Sequence, residues 1–494
     1  MTGTLTIWTD HDLGVINPHL YGNFAEHLGR CIYGGLWVGP GSSIPNDGGL
    51  RTAAVEALRA MHLPVLRWPG GCFADDYHWE WGVGPDRRPR RNLWWGGPET
   101  NEFGTDEFLE LCHAIGCEPY LSVNVGSGTV EEAANWMEYC NSPQVSHYAN
   151  LRRAHGHPDP HSVRYWGIGN ENWGCGGNMT PQQYAYECRK YACFMSKLSG
   201  DVEGGAYLIA GGHDDLSWNE EVLRHLEGAL STLSALSIHM YRSGHPASGP
   251  RAQTSTDTPD HYYRLLGEVV DMEDRVRKTA DLLDFYSTRD HRLDLVVDEW
   301  GTWYGDTDDG LCQPGPLKDA LFTAAALHMY QRYCRAVSMT NMAQTANVLQ
   351  SLLLTRGSDT VRTPTYHAYE MLKHHQGATL LTSRATSTTL ADDKGREYDA
   401  LSLSASLSAD SRRLTISVAN LSMEEDCTAE VKLSGLQTVQ GATARVLTSE
   451  SIADANDFED GERVRPWETS VAVDVPSFRH TFPAQSLTVI EVAC

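Results

Sequence analysis

The chain has 494 residues, 41% of them hydrophobic, so it is too long for one compact core and too apolar for a disordered polymer. A large domain plus a smaller one is expected. Lys and Arg number 39 against 64 Asp and Glu, and the net charge of -25 argues against a nucleic-acid or anionic-membrane partner and suits a neutral ligand. The 14 Trp, 21 Tyr and 21 His fit a carbohydrate ligand, and equally fit core and rim packing.

From Met1 to Thr6 there is neither a basic n-region nor a long apolar h-region, so no secretory leader is expected. No stretch reaches the apolar length of a membrane span. The 12 cysteines are scattered without a Cys-x-x-Cys pair, and Cys112 and Cys334 fall inside core-like segments. Free thiols in a reducing cytoplasm are therefore expected, with stability indifferent to reductant.

In chain order, Leu5 and Ile7 alternate with Thr4 and Thr6, a half-buried strand. Residues 16–26 read as a strand ending at Glu26-His27. Val55, Leu58 and Met61 have helical spacing, and residues 63–68 form a strand running into Pro69-Gly70-Gly71. A Trp-rich excursion follows, carrying Trp79, Trp81, Trp94 and Trp95. Helix and strand then alternate. Helices are expected near 105–115, 130–139, 181–198, 219–230, 261–286, 317–333 and 365–375. Strands are expected near 120–125, 164–172, 207–212, 236–241, 293–300 and 335–344. Eight strand–helix pairs predict an α/β fold, a (β/α)8 TIM barrel over 16–376. No Gly-x-Gly-x-x-Gly loop opens the first helix, which disfavours a dinucleotide fold. After Gly377 the pattern changes to period-two runs split by Gly, Asp and Ser, such as Leu414-Thr415-Ile416-Ser417-Val418. This predicts a jelly-roll-like β-sandwich of 377–494, joined by the strand of 1–15.

Side chains at the C-terminal ends of barrel strands converge on one mouth. The strand ends supply Glu26, Arg67, Asn170, Glu171, His239, Tyr241, Glu299 and Gln344. Two apolar strands run out into a glutamate near a tryptophan, at Glu171 with Trp173 and at Glu299 with Trp300. Strands four and seven face each other across such a mouth. The two glutamates then read as a catalytic carboxylate pair, each beside a sugar-stacking aromatic. The blander reading is a set of rim charges in ion pairs, which does not explain two such strand ends together.

The segments 21–30 (YGNFAEHLGR), 67–71 (RWPGG), 167–174 (GIGNENWG) and 298–300 (DEW) resemble glycoside hydrolase family 51, mainly α-L-arabinofuranosidases. The likeness spans the chain, including the sandwich. It implies an exo-acting, retaining enzyme that takes non-reducing terminal α-L-arabinofuranosyl residues from arabino- or arabinoxylo-oligosaccharides. It implies Glu171 as general acid/base and Glu299 as nucleophile. Glu26, Asn170 and Gln344 would bind ring hydroxyls, Tyr241 would hydrogen-bond the nucleophile, and Arg67 would be its charge partner. Trp173 and His239 join this binding set. Cys72 stands where many members carry a sugar-contacting Asn and some carry Cys. The resemblance further implies a homo-oligomer, a hexamer, and no cofactor.

The chemistry sets its own demands. Glu299 must stay ionised, which Arg67 and the Tyr241 hydroxyl favour, while Glu171 must hold a proton until the leaving oxygen needs it. Another retaining barrel glycosidase, a β-xylosidase or endoglucanase, is the alternative within the class, and a non-catalytic sugar binder the alternative outside it. The His155-Gly156-His157-Pro158-Asp159-Pro160-His161 run reads as a loop rather than a metal cluster, and no metal is expected. His213 sits in a strand-end loop near the mouth. Trp94 and Trp95 either stack on sugar or cap the barrel.

Overall fold

A computed structural model describes residues 1–245, 256–305 and 311–494. Eight parallel strands close a barrel in chain order: Gly22–Phe24, Val65–Trp68, Glu118–Val123, Tyr165–Ile168, Tyr207–Gly211, Ala235–Arg242, Asp294–Thr302 and Val337–Ala343. They are numbered here as barrel strands one to eight. Helices follow the strands and cover the outside, as a parallel sheet buried on both faces requires. The first strand is shorter than expected because Asn17-Pro18 starts a 3-10 turn over Pro18–Tyr21. There the Asn17 side chain accepts from the His19 N–H. A further helix, His147–Ala154, precedes strand four. Its sequence is too polar to show a core face, and it is anchored instead by buried Arg152, which donates to the Tyr139 and Ser142 carbonyls.

Among the described residues, nine further strands form one continuous sheet, curled around a core that includes Leu5, Ile7, Leu403, Ile416, Val431, Phe482 and Ile490, and four short two-stranded ribbons account for the rest. Strand Thr2–Val15 sits inside this sheet. It runs antiparallel to Thr379–Thr386 and parallel to Cys427–Ser434, so the chain starts in one body, crosses the barrel and returns.

The helix Leu317–Arg332 is buried almost all round because it packs between the barrel and this sheet. Its His328 pairs with the hydroxyls of Ser402 (2.9 Å) and Ser417 (2.8 Å). His375 pairs with Ser406 (2.7 Å) and again with Ser417 (2.8 Å). Both imidazoles are fully buried. Burial first, then neighbouring His374 and Arg413, push His375 down to about 3. Burial, His375 and Arg332 push His328 well below its usual value. Both rings are thus neutral in the fold and take up a proton only on unfolding. Their contribution is complete above pH 6.5 and is lost as pH falls from there toward 3, at about 1.4 kcal/mol per pH unit per histidine. The melting temperature should therefore fall steeply between pH 6.5 and 4. His375→Gln keeps hydrogen-bonding capacity without the proton and should flatten that slope. An unchanged slope would place the acid sensitivity elsewhere.

Candidate active site

The barrel interior is layered. At its base lie Val65, Tyr120, Tyr165, Ile209, Ala235, Val296 and Met339, an apolar plug. Above the plug the interior turns polar. The Tyr120 hydroxyl donates to Asp298 (2.7 Å), and the Arg67 guanidinium lies over the Tyr120 and Phe24 rings. A buried Arg67 is tolerable because carboxylates and an amide oxygen surround it. It donates to Glu299 (2.7 Å) and to the Asn170 side-chain oxygen (2.7 Å), with Asp298 at 3.5 Å.

Glu299 is held from both sides, by Arg67 on one oxygen and by the Tyr241 hydroxyl (2.8 Å) on the other. His239 links the two glutamates. Its Nδ1 lies 2.8 Å from Glu171 and 3.5 Å from Glu299, and its Nε2 lies 3.1 Å from Asp298. One carboxylate oxygen of Glu171, one of Glu299 and a ring nitrogen of His239 all lie within 4.8 Å of one another. Barrel strands four and seven therefore do bring their glutamates together.

Burial alone would discharge His239. Glu299, with Asp298 and Glu171, overrides it and raises the imidazole to about 10. Burial likewise opposes ionisation of Asp298, yet Arg67 and His239 hold it down at about 2. At Glu26 burial and then Glu299 outweigh the Trp95 and Phe73 donors and Arg67, and push it up to about 7. Two cations, Arg67 and His239, thus face four carboxyls, and full ionisation would leave a net negative buried cluster. Retention of a proton among those carboxyls is favoured.

A small pocket is built beside this cluster. Glu26 accepts from the Gly71 N–H (3.0 Å), the Phe73 N–H (3.2 Å) and the Trp95 indole N–H (2.9 Å). Gln344 donates to it at 3.2 Å, while the other Gln344 amide atom, its oxygen, is buried without a protein donor. At position 71 a Cβ would stand 2.7 Å from a Glu299 oxygen and push it from its place.

Two expectations need correction. Cys72 is not a free thiol: it is cross-linked to Cys175, 103 residues on, and the other ten cysteines are free. Cys72 cannot then offer a thiol to substrate, and the bridge instead ties the loop after strand two to the Glu171 loop. Reduction should cost about 2–5 kcal/mol of stability rather than nothing, read as a lower melting temperature in dithiothreitol that Cys175→Ser abolishes as a further shift. Second, Trp300 is fully buried, donates to Thr340 and packs on Tyr330, because strand alternation sends it outward when Glu299 points in. The Trp173 indole donates to the Gly212 carbonyl (3.1 Å) and packs on His213. Trp95 is the indole that reaches the pocket, and Trp94 is exposed beside it. His239 has both ring nitrogens directed at carboxylates. In the His155–His161 segment, His155 pairs with Tyr139 and His157 lies 3.8 Å from Asp106.

Asp298 was not legible as a site residue. Period two would put it opposite Glu299, but register shifts between Ser237 and His239, and between Val297 and Trp300, let both carboxylates face inward. A bulge of this kind leaves no mark in the residue pattern.

Two family models match the chain, the α-L-arabinofuranosidase 1 domain over residues 57–261 and the α-L-arabinofuranosidase C-terminal domain over 298–486. An intracellular exo-α-L-arabinofuranosidase of Bacteroides ovatus is 39% identical, with 99% of this chain and 96% of that protein covered. Among solved structures, the family 51 arabinofuranosidase of Xanthomonas axonopodis pv. citri superposes with a TM-score of 0.92 at 34% identity, covering 99% and 100% of the two chains. An α-L-arabinofuranosidase of Thermotoga maritima, solved with arabinose, superposes at 0.89 and 34% identity, with both chains fully covered. The chain belongs to the α-L-arabinofuranosidases of glycoside hydrolase family 51.

Proposed function

We propose that this protein is an exo-acting, retaining α-L-arabinofuranosidase that releases non-reducing terminal α-L-arabinofuranosyl residues from arabino- or arabinoxylo-oligosaccharides. The observation that carries the mechanism is the separation of the two glutamates. Carboxylate oxygens within 4.8 Å suit the carboxyl spacing of about 5–5.5 Å used by retaining enzymes. Inverting enzymes hold their carboxyls farther apart, at about 6.5–9.5 Å.

In the first half-reaction a Glu299 oxygen attacks the anomeric carbon, and the bond to the leaving oxygen breaks as Glu171 gives it a proton. A glycosyl ester of Glu299 results. Arg67 and Tyr241 fix the orientation of Glu299 before attack. In the second half-reaction Glu171, now ionised, takes a proton from water, which attacks the same carbon and releases Glu299. Protonated His239 stays hydrogen-bonded to Glu171 and keeps its carboxyl oriented through both steps. Glu26, Asn170 and Gln344 bind the ring hydroxyls, the unpaired Gln344 oxygen accepting one of them.

A nitrophenyl glycoside panel tests the specificity. The α-L-arabinofuranoside should be cleaved far faster than the β-xyloside or β-glucoside, and NMR should show retained configuration in the first-formed product. A faster β-glucoside would overturn the substrate assignment. Hexameric assembly and a cytoplasmic location complete the proposal; the intracellular relative of Bacteroides ovatus supports the location, and the Cys72–Cys175 bridge counts against it. Light scattering that returned the 54.7 kDa of one chain would refute the assembly.

A further inference from the structure

Asp75 lies in the short turn Ala74–Asp76 after barrel strand two, and it is buried. Each carboxylate oxygen accepts two hydrogen bonds. Oδ1 takes the N–H groups of Val125 (2.8 Å) and Gly126 (3.0 Å), beyond strand three. Oδ2 takes the Asn170 N–H (2.9 Å) and the Asn172 side-chain amide (3.3 Å), beyond strand four. No ion pair to Asp75 is found among the described residues, so these donors alone stabilise its charge. The surroundings are shaped to it: a Cβ at Gly126 would stand 2.5 Å from the Asp75 carbonyl oxygen. Asn170 and Asn172 are the two residues that flank Glu171.

We infer that Asp75 is the positioning residue for Glu171: one buried carboxylate grips the backbone before the glutamate and the side chain after it, and pins both to the loop beyond strand three. The Cys72–Cys175 bridge also joins the loop after strand two to the Glu171 loop. Glu171 itself follows Gly169, whose φ of +78° turns the chain sharply out of strand four, so its direction depends on such anchors. This inference rests on the acid/base role proposed for Glu171.

The test is leaving-group dependence. Asp75→Asn keeps the shape but must turn an NH2 toward backbone N–H donors, whichever way the amide faces. If Glu171 is displaced, kcat/KM for arabino-oligosaccharides should fall about 10²-fold, as for other small misplacements of a reacting group. The 2,4-dinitrophenyl arabinofuranoside needs no proton to leave, so its kcat/KM should stay within about threefold. A general loss of structure would lower both together. Asn172→Ala removes one donor to Asp75 and leaves three, so it should show the same pattern, weaker, even if Asp75→Asn does not fold. Glu171→Ala is run alongside. If Glu171→Ala discriminates between leaving groups and the Asp75 and Asn172 variants do not, the positioning role is overturned. If Glu171→Ala itself does not discriminate, the acid/base assignment fails instead.

Discussion

Glu299→Ala should lower turnover of activated and natural arabinofuranosides alike, on the order of 10⁴-fold or more, because no other group can form the glycosyl ester. The neighbours make the point specific. Arg67 and Tyr241 address one Glu299 oxygen each, and neither can attack the anomeric carbon in its place. Their orientation of Glu299 is lost with the carboxylate. Removing it also opens the space beside Gly71, where azide can enter from the face that Glu299 used. Azide should then displace the leaving group once, giving an arabinosyl azide of inverted configuration, with Glu171 still supplying the proton. The variant should remain folded, since Asp298 and Asn170 still address Arg67. Melting curves check the fold, and NMR of the azide product checks the face. A retained azide product from this variant would mean that Glu299 is not the nucleophile.

The barrel was readable because its strands are apolar runs that end in polar mouths, and Tyr165–Ile168 followed by Asn170 and Glu171 is the plainest case. Residues whose function lies where their strand ends were therefore placed together by topology alone. What could not be read depends on geometry between segments. Asp298 turns inward through a bulge, and the neighbouring strand shifts register at the same level. Cys72 and Cys175 meet only because their two loops close over one mouth, and neither spacing nor context marks them. Trp300 looked like a sugar platform because it follows Glu299, yet adjacent strand residues face opposite ways. Trp95 comes from an excursion with no periodicity. Its indole is aimed by Asn92, whose side-chain oxygen accepts from the Trp94 and Trp95 N–H groups. The curled sheet, by contrast, announced itself in alternation, although the polar face of its central strands is not wet: Ser404, Ser406, Thr415 and Ser417 are buried there, Ser406 and Ser417 against His375 and His328.

Glu171→Ala should behave differently from Glu299→Ala, and the difference separates the two roles. Natural arabinosides leave as poor alkoxides, so loss of the proton donor should lower their cleavage by about 10²–10⁴, the range of general acid catalysis. A 2,4-dinitrophenyl substrate needs little protonation, so its first step should survive. Water then lacks its base, the ester on Glu299 should build up, and the phenol should appear as a burst followed by slow turnover. Azide needs no deprotonation. It should reach the anomeric carbon through the space Glu171 vacated, restore turnover and give an arabinosyl azide of retained configuration. His239 sharpens the test, since its Nδ1 loses the partner at 2.8 Å but keeps Glu299 at 3.5 Å, and its Nε2 keeps Asp298. The imidazolium therefore stays paired, and the loss of activity reports the missing carboxyl rather than a collapsed site. An inverted azide product from Glu171→Ala, or equal losses on both leaving groups, would overturn the assignment of Glu171 as acid/base.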